Sequence, residues 1–205
     1  MDATDWDERY RASDLVWSAG PNQFVEAECA SMPPGRALDL AAGEGRNALW
    51  LARQGWQVTA VDYSQVGLDK GARVAGDLPI DWVRADATTW IGSGYDLAVI
   101  AYLQLVAAER GAAVRAAYDA LVDGGTLLLV AHDSTNLTEG VGGPQDPSVL
   151  YTADDVLSDL GDRRFDVVRA ERVARRVEGS SDPSHRHAGA DQQIARDALV
   201  RLVRR

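Results

Sequence analysis

At 205 residues with an apolar share of 46%, the chain is sized for one compact domain, spanning 1–205, and is too short for a two-domain dehydrogenase. A net charge of −10 and a pI near 4.7 argue against nucleic acid as the main partner, because affinity for a phosphate backbone comes from clustered Lys and Arg. Residues 163–205 do hold 11 Arg against 6 acids, while residues 1–162 hold 10 basic residues against 25 acids, and we read that basic tail as a surface face.

Two helices open the chain, Asp5–Arg11 and Asn22–Ser31, with Pro21 suited to a first helical turn; together residues 1–32 form a helical cap over one edge of a sheet. Arg36–Leu40 is a short apolar run between Pro33-Pro34-Gly35 and a Gly-rich turn, hence a buried strand. Glu44–Gln54 has Ala48, Leu49, Leu51 and Ala52 at helical spacing and stops at Gly55. Gln57–Val61 is a second strand ending at Asp62, and Ser64 caps a helix to Ala75. Ile80–Ala85 is a third strand ending at Asp86, and Asp96–Tyr102 a fourth. Ala107–Val122 is helical, Asp123-Gly124-Gly125 turns the chain, and Thr126–Ala131, the most apolar strand, belongs mid-sheet. Residues 136–151 form a long loop over the crevice. Thr152 caps a short acidic helix to Leu160, and Phe165–Val173 and Ile194–Val203 are the last two strands. Their connection has no helical pattern, so they form an antiparallel hairpin whose loop, residues 178–192, is a second wall of the site. Strands alternating with helices imply an α/β, doubly wound, Rossmann-like parallel sheet.

Cys29 is the sole cysteine, which excludes an intrachain disulfide and points to a reducing cytoplasmic compartment. Met1–Arg11 is charged and carries no apolar signal region, and no segment has the roughly 18 apolar residues of a membrane span. The expectation is a protein without membrane partners, a monomer or homodimer.

The strongest chemical signal is Asp39-Leu-Ala-Ala-Gly43-Glu-Gly45, where the first strand hands over to the first helix of the sheet. Glycines there let backbone approach a ligand at a helix amino terminus, although a bland turn would use them too. The first three strands each end on an acid: Asp39, Asp62 and Asp86. Carboxyl ends of parallel strands line the ligand crevice of an open sheet. Asp62, 19 residues after Gly43, is placed to accept from both hydroxyls of a ribose, and Asp86 from the exocyclic amine of an adenine. Asp86 serves equally well as a cap. Asp39 would repel a pyrophosphate and hold a cation, which favours a sulfonium cofactor over NAD.

Other motifs join these: Trp6-x-x-Arg9-Tyr10, Trp17-x-x-Gly20-Pro21-Asn22, Gly-Arg-Asn47-Ala48, Val61-Asp62-Tyr63-Ser64, Gly142-Gly-Pro-Gln-Asp-Pro147, and Glu178-Gly179 followed by His185 and His187. As a set they make the chain resemble the class I S-adenosylmethionine-dependent methyltransferases, most of all the small tellurite-resistance-type and thiopurine-type enzymes. The chain is also similar to actinobacterial sugar O-methyltransferases, including those acting on methylmannose polysaccharide precursors. The resemblance implies a seven-stranded sheet of order 3-2-1-4-5-7-6 with strand 7 antiparallel. It implies that Gly43, Gly45 and the backbone of Ala41 and Ala42 line the methionine part of the cofactor, with Asn47 and Ser64 in the same motifs. Asp62 takes the ribose, Tyr63 flanks the adenine, Asp86 and Ala87 hold its amino group, the Ala101 carbonyl meets the ammonium, and Trp17 covers the whole. Ala41 replaces the family's first loop glycine. Since alanine disfavours φ > 0, the loop is expected to differ there.

Methyl transfer is an in-line displacement, so alignment in a water-poor pocket does most of the work. A thiolate acceptor needs no base, whereas a sugar hydroxyl does. His132 follows the central strand and is the candidate base; the alternative is a structural histidine. Family members tend to carry Glu or another residue there, and the departure points to O-methylation of a hydroxyl rather than to sulfur or tellurium. Tyr102 and Gln104 face the same pocket, and Asp133 is a candidate acceptor contact or Mg2+ ligand. His185 and His187 are acceptor candidates and form a His-x-His pair without the companion ligands zinc needs. An NAD-linked oxidoreductase is the rival enzyme, but Lys70 has no Tyr-x-x-x-Lys partner. A non-catalytic binding protein is the other rival.

Overall fold

The computed structural model describes residues 3–12, 20–177 and 193–205. The seven strands are β1 (Arg36–Leu40), β2 (Gln57–Asp62), β3 (Ile80–Arg84), β4 (Tyr95–Ala101), β5 (Leu121–His132), β6 (Phe165–Val177) and β7 (Gln193–Arg204). They form one sheet in the order β3-β2-β1-β4-β5-β7-β6. β1 to β5 run parallel, while β7 is antiparallel to both β5 and β6.

The helices are α1 (Ala3–Arg11), α2 (Gln23–Cys29), α3 (Arg46–Arg53), α4 (Gln65–Ala75), α5 (Ala107–Asp119), α6 (Asn136–Glu139) and α7 (Ala153–Asp159). Successive strand residues feed two cores. Leu38, Leu40, Ile100, Leu127 and Leu129 pack toward α5 and α7, and Ala37, Leu97, Val99, Leu128 and Val130 pack with residues of α2 and α3. Burial on both faces accounts for the continuous apolar runs in the central strands, with Thr126 to Ala131 all buried.

Four local expectations need correction. Pro21 lies outside α2, because Asn22 is its N-cap and accepts from the backbone N–H of Phe24 and Val25. The opening helices do not both sit over an edge: α1 packs on α4, whereas α2 reaches β5 in mid-sheet and buries Val25 and Cys29. α5 stops at Asp119 and the chain enters β5 at Leu121, since burying Leu121 beside Tyr95 draws the strand in early, and residues 122–125 form an irregularity before pairing resumes at Thr126. The segment 136–151 is not a bare loop: it holds α6 and a 3-10 turn at Pro147–Val149. Thr152 caps α7 as expected and forms a reciprocal capping box with Asp155.

The arginines of the tail meet acids from elsewhere in the chain. Arg169 and Arg201 converge on Glu28 of α2, Arg163 pairs with Asp119, Arg172 with Glu139, and Arg204 with Asp123. The basic hairpin is thus neutralised in part by the acidic body. No helix among the described residues is long and apolar enough to cross a membrane.

Candidate active site

The glycine loop is shaped by three left-handed residues, Ala41 at φ 64°, Gly43 at φ 58° and Gly45 at φ 74°. Ala41 therefore adopts the conformation its Cβ disfavours, contrary to the expectation that the loop would avoid it there. The fold over-determines it: Ala42 N–H donates to Val61 O at 2.9 Å, Gly45 N–H to Ala42 O at 2.8 Å, and Gly43 N–H to Asp62 Oδ2 at 2.8 Å. Strain of this kind is retained only where surrounding bonds hold it. Gly45 is required twice, by its φ and because a Cβ would lie 2.3 Å from the Trp82 ring.

Asp39 is almost fully buried beneath the loop, and its Oδ2 accepts from Ala48 N–H at 2.9 Å. Burial pushes its pKa up to about 7, against that hydrogen bond and the charge of Arg46. Asp62 is raised by burial as well, while the N–H groups of Ser64 and Gly43 pull the other way. Each of its oxygens takes one backbone N–H. The N–H of Tyr63 also bonds the carboxylate, and since each oxygen has two lone pairs, capacity for a ligand hydroxyl remains. Asp86 is exposed after β3, and its Oδ1 takes both the N–H and the hydroxyl of Thr88, so it does cap a turn. Tyr63 and Ala101 are half-buried and Ala87 buried. All of these lie at or just past the carboxyl ends of β1 to β4, along one edge of the sheet.

The second half of the crevice is made of side chains. The His132 ring stands 4.9 Å from the Tyr102 ring, centroid to centroid, and a Cβ on Gly143 would meet the imidazole at 2.9 Å. The imidazole is thus held between an aromatic ring and a backbone segment. Its Nδ1 lies 3.3 Å from Asp197 Oδ1, and both atoms are buried with no aligned hydrogen-bond partner. Asp197 Oδ2 accepts from the Tyr102 hydroxyl at 2.8 Å and from Arg175 Nε at 2.7 Å. The guanidinium carbons of Arg46 and Arg175 lie 5.8 and 5.4 Å from the Tyr102 centroid. Tyr102 is itself left-handed at φ 58°, a second strained residue at a strand end.

Several expected contacts are engaged elsewhere. Ser64 is fully buried: its hydroxyl donates to Asp7 at 2.5 Å and accepts from Gly67 N–H as the α4 cap. Asn47 Oδ1 accepts from Asn22 N–H at 2.9 Å and ties α3 to the start of α2. Gln104 donates to Val149 O and accepts from His132 N–H, so it clasps the end of β5. Asp133, 3% exposed, accepts from the N–H and hydroxyl of Thr135 and so caps the turn into α6. No group of three or more His, Cys, Asp or Glu among the described residues could hold a metal. Trp17, His185 and His187 lie outside the described residues.

Sequence reasoning missed Arg46 and Asp197. Arg46 is the first residue of α3, and burial lowers its pKa while Tyr102 and Asp39 raise it. The only trace of Asp197 was that it is the one acid of β7, a strand whose other charged residues are Arg196, Arg201 and Arg204, and its partner is named by the β5–β7 register, in which His132 stands opposite Asp197.

Residues 37–125 match a family model described as a methyltransferase domain. Over 77 residues the chain is 39% identical to a demethylmenaquinone methyltransferase of Clavibacter sepedonicus, an alignment that spans 37% of this chain and 30% of that one. It is 28% identical over 166 residues to thiocyanate methyltransferase 1 of Brassica oleracea, covering 76% of this chain and 72% of the relative. Its fold is similar to that of TehB from Haemophilus influenzae, with TM-score 0.72 at 19% identity over 90% of this chain and 63% of that one. The N-methyltransferase NodS from Bradyrhizobium japonicum WM9, solved with S-adenosyl-l-homocysteine, has TM-score 0.72 at 16% identity over 100% and 99% of the two chains.

Proposed function

We propose that the chain, whose residues 37–125 match a methyltransferase domain and whose sheet runs β3-β2-β1-β4-β5-β7-β6, is a class I S-adenosylmethionine-dependent methyltransferase and that it methylates a hydroxyl of a small-molecule acceptor, such as a sugar of the methylmannoside kind, with His132 as base. The residues present fit the cofactor. Gly43 and Gly45 hold the left-handed φ that suits glycine and shape the loop at the end of β1, and Asp62 retains a lone pair for a ribose. Tyr63, Asp86 and Ala87, just past the ends of β2 and β3, are the residues we assign to the adenine, and the Ala101 carbonyl at the end of β4 is assigned to the ammonium. Asp39 supplies negative charge near a cationic ligand, and Arg46 supplies a guanidinium for its carboxylate. When bound, the cofactor supplies an electrophilic methyl group on a sulfonium.

The observation that carries the choice of hydroxyl is His132 itself. It stands at the carboxyl end of β5 beside the crevice, clamped between Tyr102 and Gly143. With Nδ1 turned toward Asp197, Nε2 is the nitrogen that meets a ligand and takes the acceptor proton. The clamp restricts ring rotation, so the imidazole is oriented before the acceptor arrives.

A second reading is S-methylation, favoured by the likeness to a thiocyanate methyltransferase; a thiolate or thiocyanate acceptor needs no base. Release of S-adenosylhomocysteine across a panel of sugars, alcohols and thiols, with wild type and His132→Ala in parallel, separates the two. Turnover of a hydroxyl acceptor that collapses in the variant supports the first reading, and undiminished turnover of a thiol supports the second. Tight NAD binding by calorimetry would return the case to an oxidoreductase.

A further inference from the structure

His132 and Asp197 are opposite residues of the β5–β7 ladder, so the separation of their side chains is set by backbone register and not by a flexible loop. Their facing atoms, Nδ1 and Oδ1, are 3.3 Å apart, and both are buried with no aligned hydrogen-bond partner, which makes each the nearest group able to satisfy the other. Two lone pairs at that distance in a buried place would repel; a proton between them turns repulsion into a hydrogen bond. That proton belongs to the imidazole. Burial pushes the Asp197 carboxyl up, but hydrogen bonds from His132, Arg175 and Tyr102 hold it below the usual carboxylate range. The aspartate is therefore an acceptor.

We propose that Asp197 is the positioning residue of His132, holding the imidazole in its Nδ1–H tautomer and so reserving the Nε2 lone pair for the acceptor's proton. The inference rests on the reading of His132 as base. Rotation of the carboxylate is blocked from two further elements. Tyr102 donates to Oδ2 from the end of β4 at 2.8 Å, and Arg175 donates to it from β6 at 2.7 Å. Tyr102 keeps its proton because burial and the charge of Asp197 raise its pKa. Arg175 keeps its charge because, although burial lowers its pKa, Asp197 and Tyr102 together more than offset that effect. Arg46 on α3 is the other charged group facing the Tyr102 ring. An Asp197 that served only as counter-ion to Arg175 would leave the choice of imidazole tautomer open.

The test is Asp197→Asn. Its amide orientation is dictated by the surroundings: the carbonyl must face the donors of Tyr102 and Arg175, which turns the NH2 group onto His132 Nδ1. The tautomer should reverse to Nε2–H. Long-range proton–nitrogen NMR of labelled protein, at a pH where the imidazole is neutral and with His132 assigned by its loss in His132→Gln, should show Nδ1 protonated in wild type and Nε2 protonated in Asp197→Asn. Turnover in the variant should fall by about two to four orders of magnitude, unrecovered at higher pH, with S-adenosylmethionine affinity unchanged. A wild-type spectrum with the proton on Nε2 overturns the assignment, and so does a folded Asp197→Asn that keeps the native tautomer. Should the variant fail to fold, the wild-type spectrum decides alone. Full turnover in His132→Ala would instead overturn the base reading, and with it the catalytic consequence, whatever the tautomer.

Discussion

The half of the crevice over β1, β2 and β3 is built largely from backbone, whereas the half over β4, β5, β6 and β7 is built from side chains. In the first, Asp62 binds two N–H groups, of Gly43 and Ser64, and the loop bonds to itself and to Val61. In the second, Tyr102, His132, Arg175 and Asp197 come from four different strands or their ends and meet one another through ring contacts and side-chain hydrogen bonds. A backbone cradle tolerates change in the residues between its glycines and suits one invariant ligand. A side-chain constellation can be altered one residue at a time, which suits an acceptor that differs from one enzyme to the next.

If the two halves do separate work, substitutions in each should affect different constants. The largest effect is expected from His132→Ala, with turnover of a hydroxyl acceptor down by roughly two to four orders of magnitude and cofactor affinity nearly intact, because the imidazole acts only as the proton leaves. Steady-state kinetics beside calorimetry of cofactor binding would show it; weakened cofactor binding would mean that the halves are not separable.

Next in size is Asp62→Ala in the backbone half. It removes a charge-assisted hydrogen bond to the ribose, worth roughly 1.5 to 3 kcal/mol, so cofactor affinity should fall about tenfold or more. It also strips the acceptor from Gly43 and Ser64, so melting must be followed alongside. Unchanged affinity in a folded variant would remove Asp62 from the site.

Asp39 sharpens the contrast through pH. Its folded pKa of about 7 lies above the ordinary 3.8, so between those values the folded state binds more protons than the unfolded one. Its contribution to stability therefore falls as pH rises from about 4 to 7. Asp39→Asn keeps an acceptor for Ala48 N–H and removes the buried charge. The variant should melt higher than wild type at pH 8, and the gap should narrow as pH drops through this window. At the same time it should bind a cationic cofactor less tightly. A gap independent of pH would show that Asp39 is not ionising in this range.

The smallest effect concerns Ala41, held at φ 64°. A left-handed alanine costs roughly 1 to 2 kcal/mol, partly offset on changing to glycine by the greater freedom of the unfolded chain. Ala41→Gly should therefore stabilise by up to about 1 kcal/mol in denaturant unfolding, with little change in turnover. Destabilisation would mean that the Cβ contributes contacts that outweigh the strain.

What could be read from the sequence follows the same division. The order of strands and helices, the glycine turn, the strand-end acids Asp39 and Asp62 and the closing hairpin were legible because each is encoded within about ten neighbouring residues. Periodicity, glycines and caps act over that range. Helix ends slipped where burial overrode local preference, as when Leu121 drew β5 in ahead of the Gly124 turn. Ser64, Gln104 and Asp133 were legible as polar residues near strand ends, but their local backbone bonds were not: Ser64 and Asp133 accept from N–H groups of their own turns, and Gln104 accepts from His132 N–H and donates to Val149 O. Asp197 was beyond sequence reasoning because its meaning comes from the antiparallel register of β5 and β7, 65 residues apart at His132. Local chemistry along the chain determined where a cofactor would lie; only the pairing of distant strands decided which side chains meet beside it.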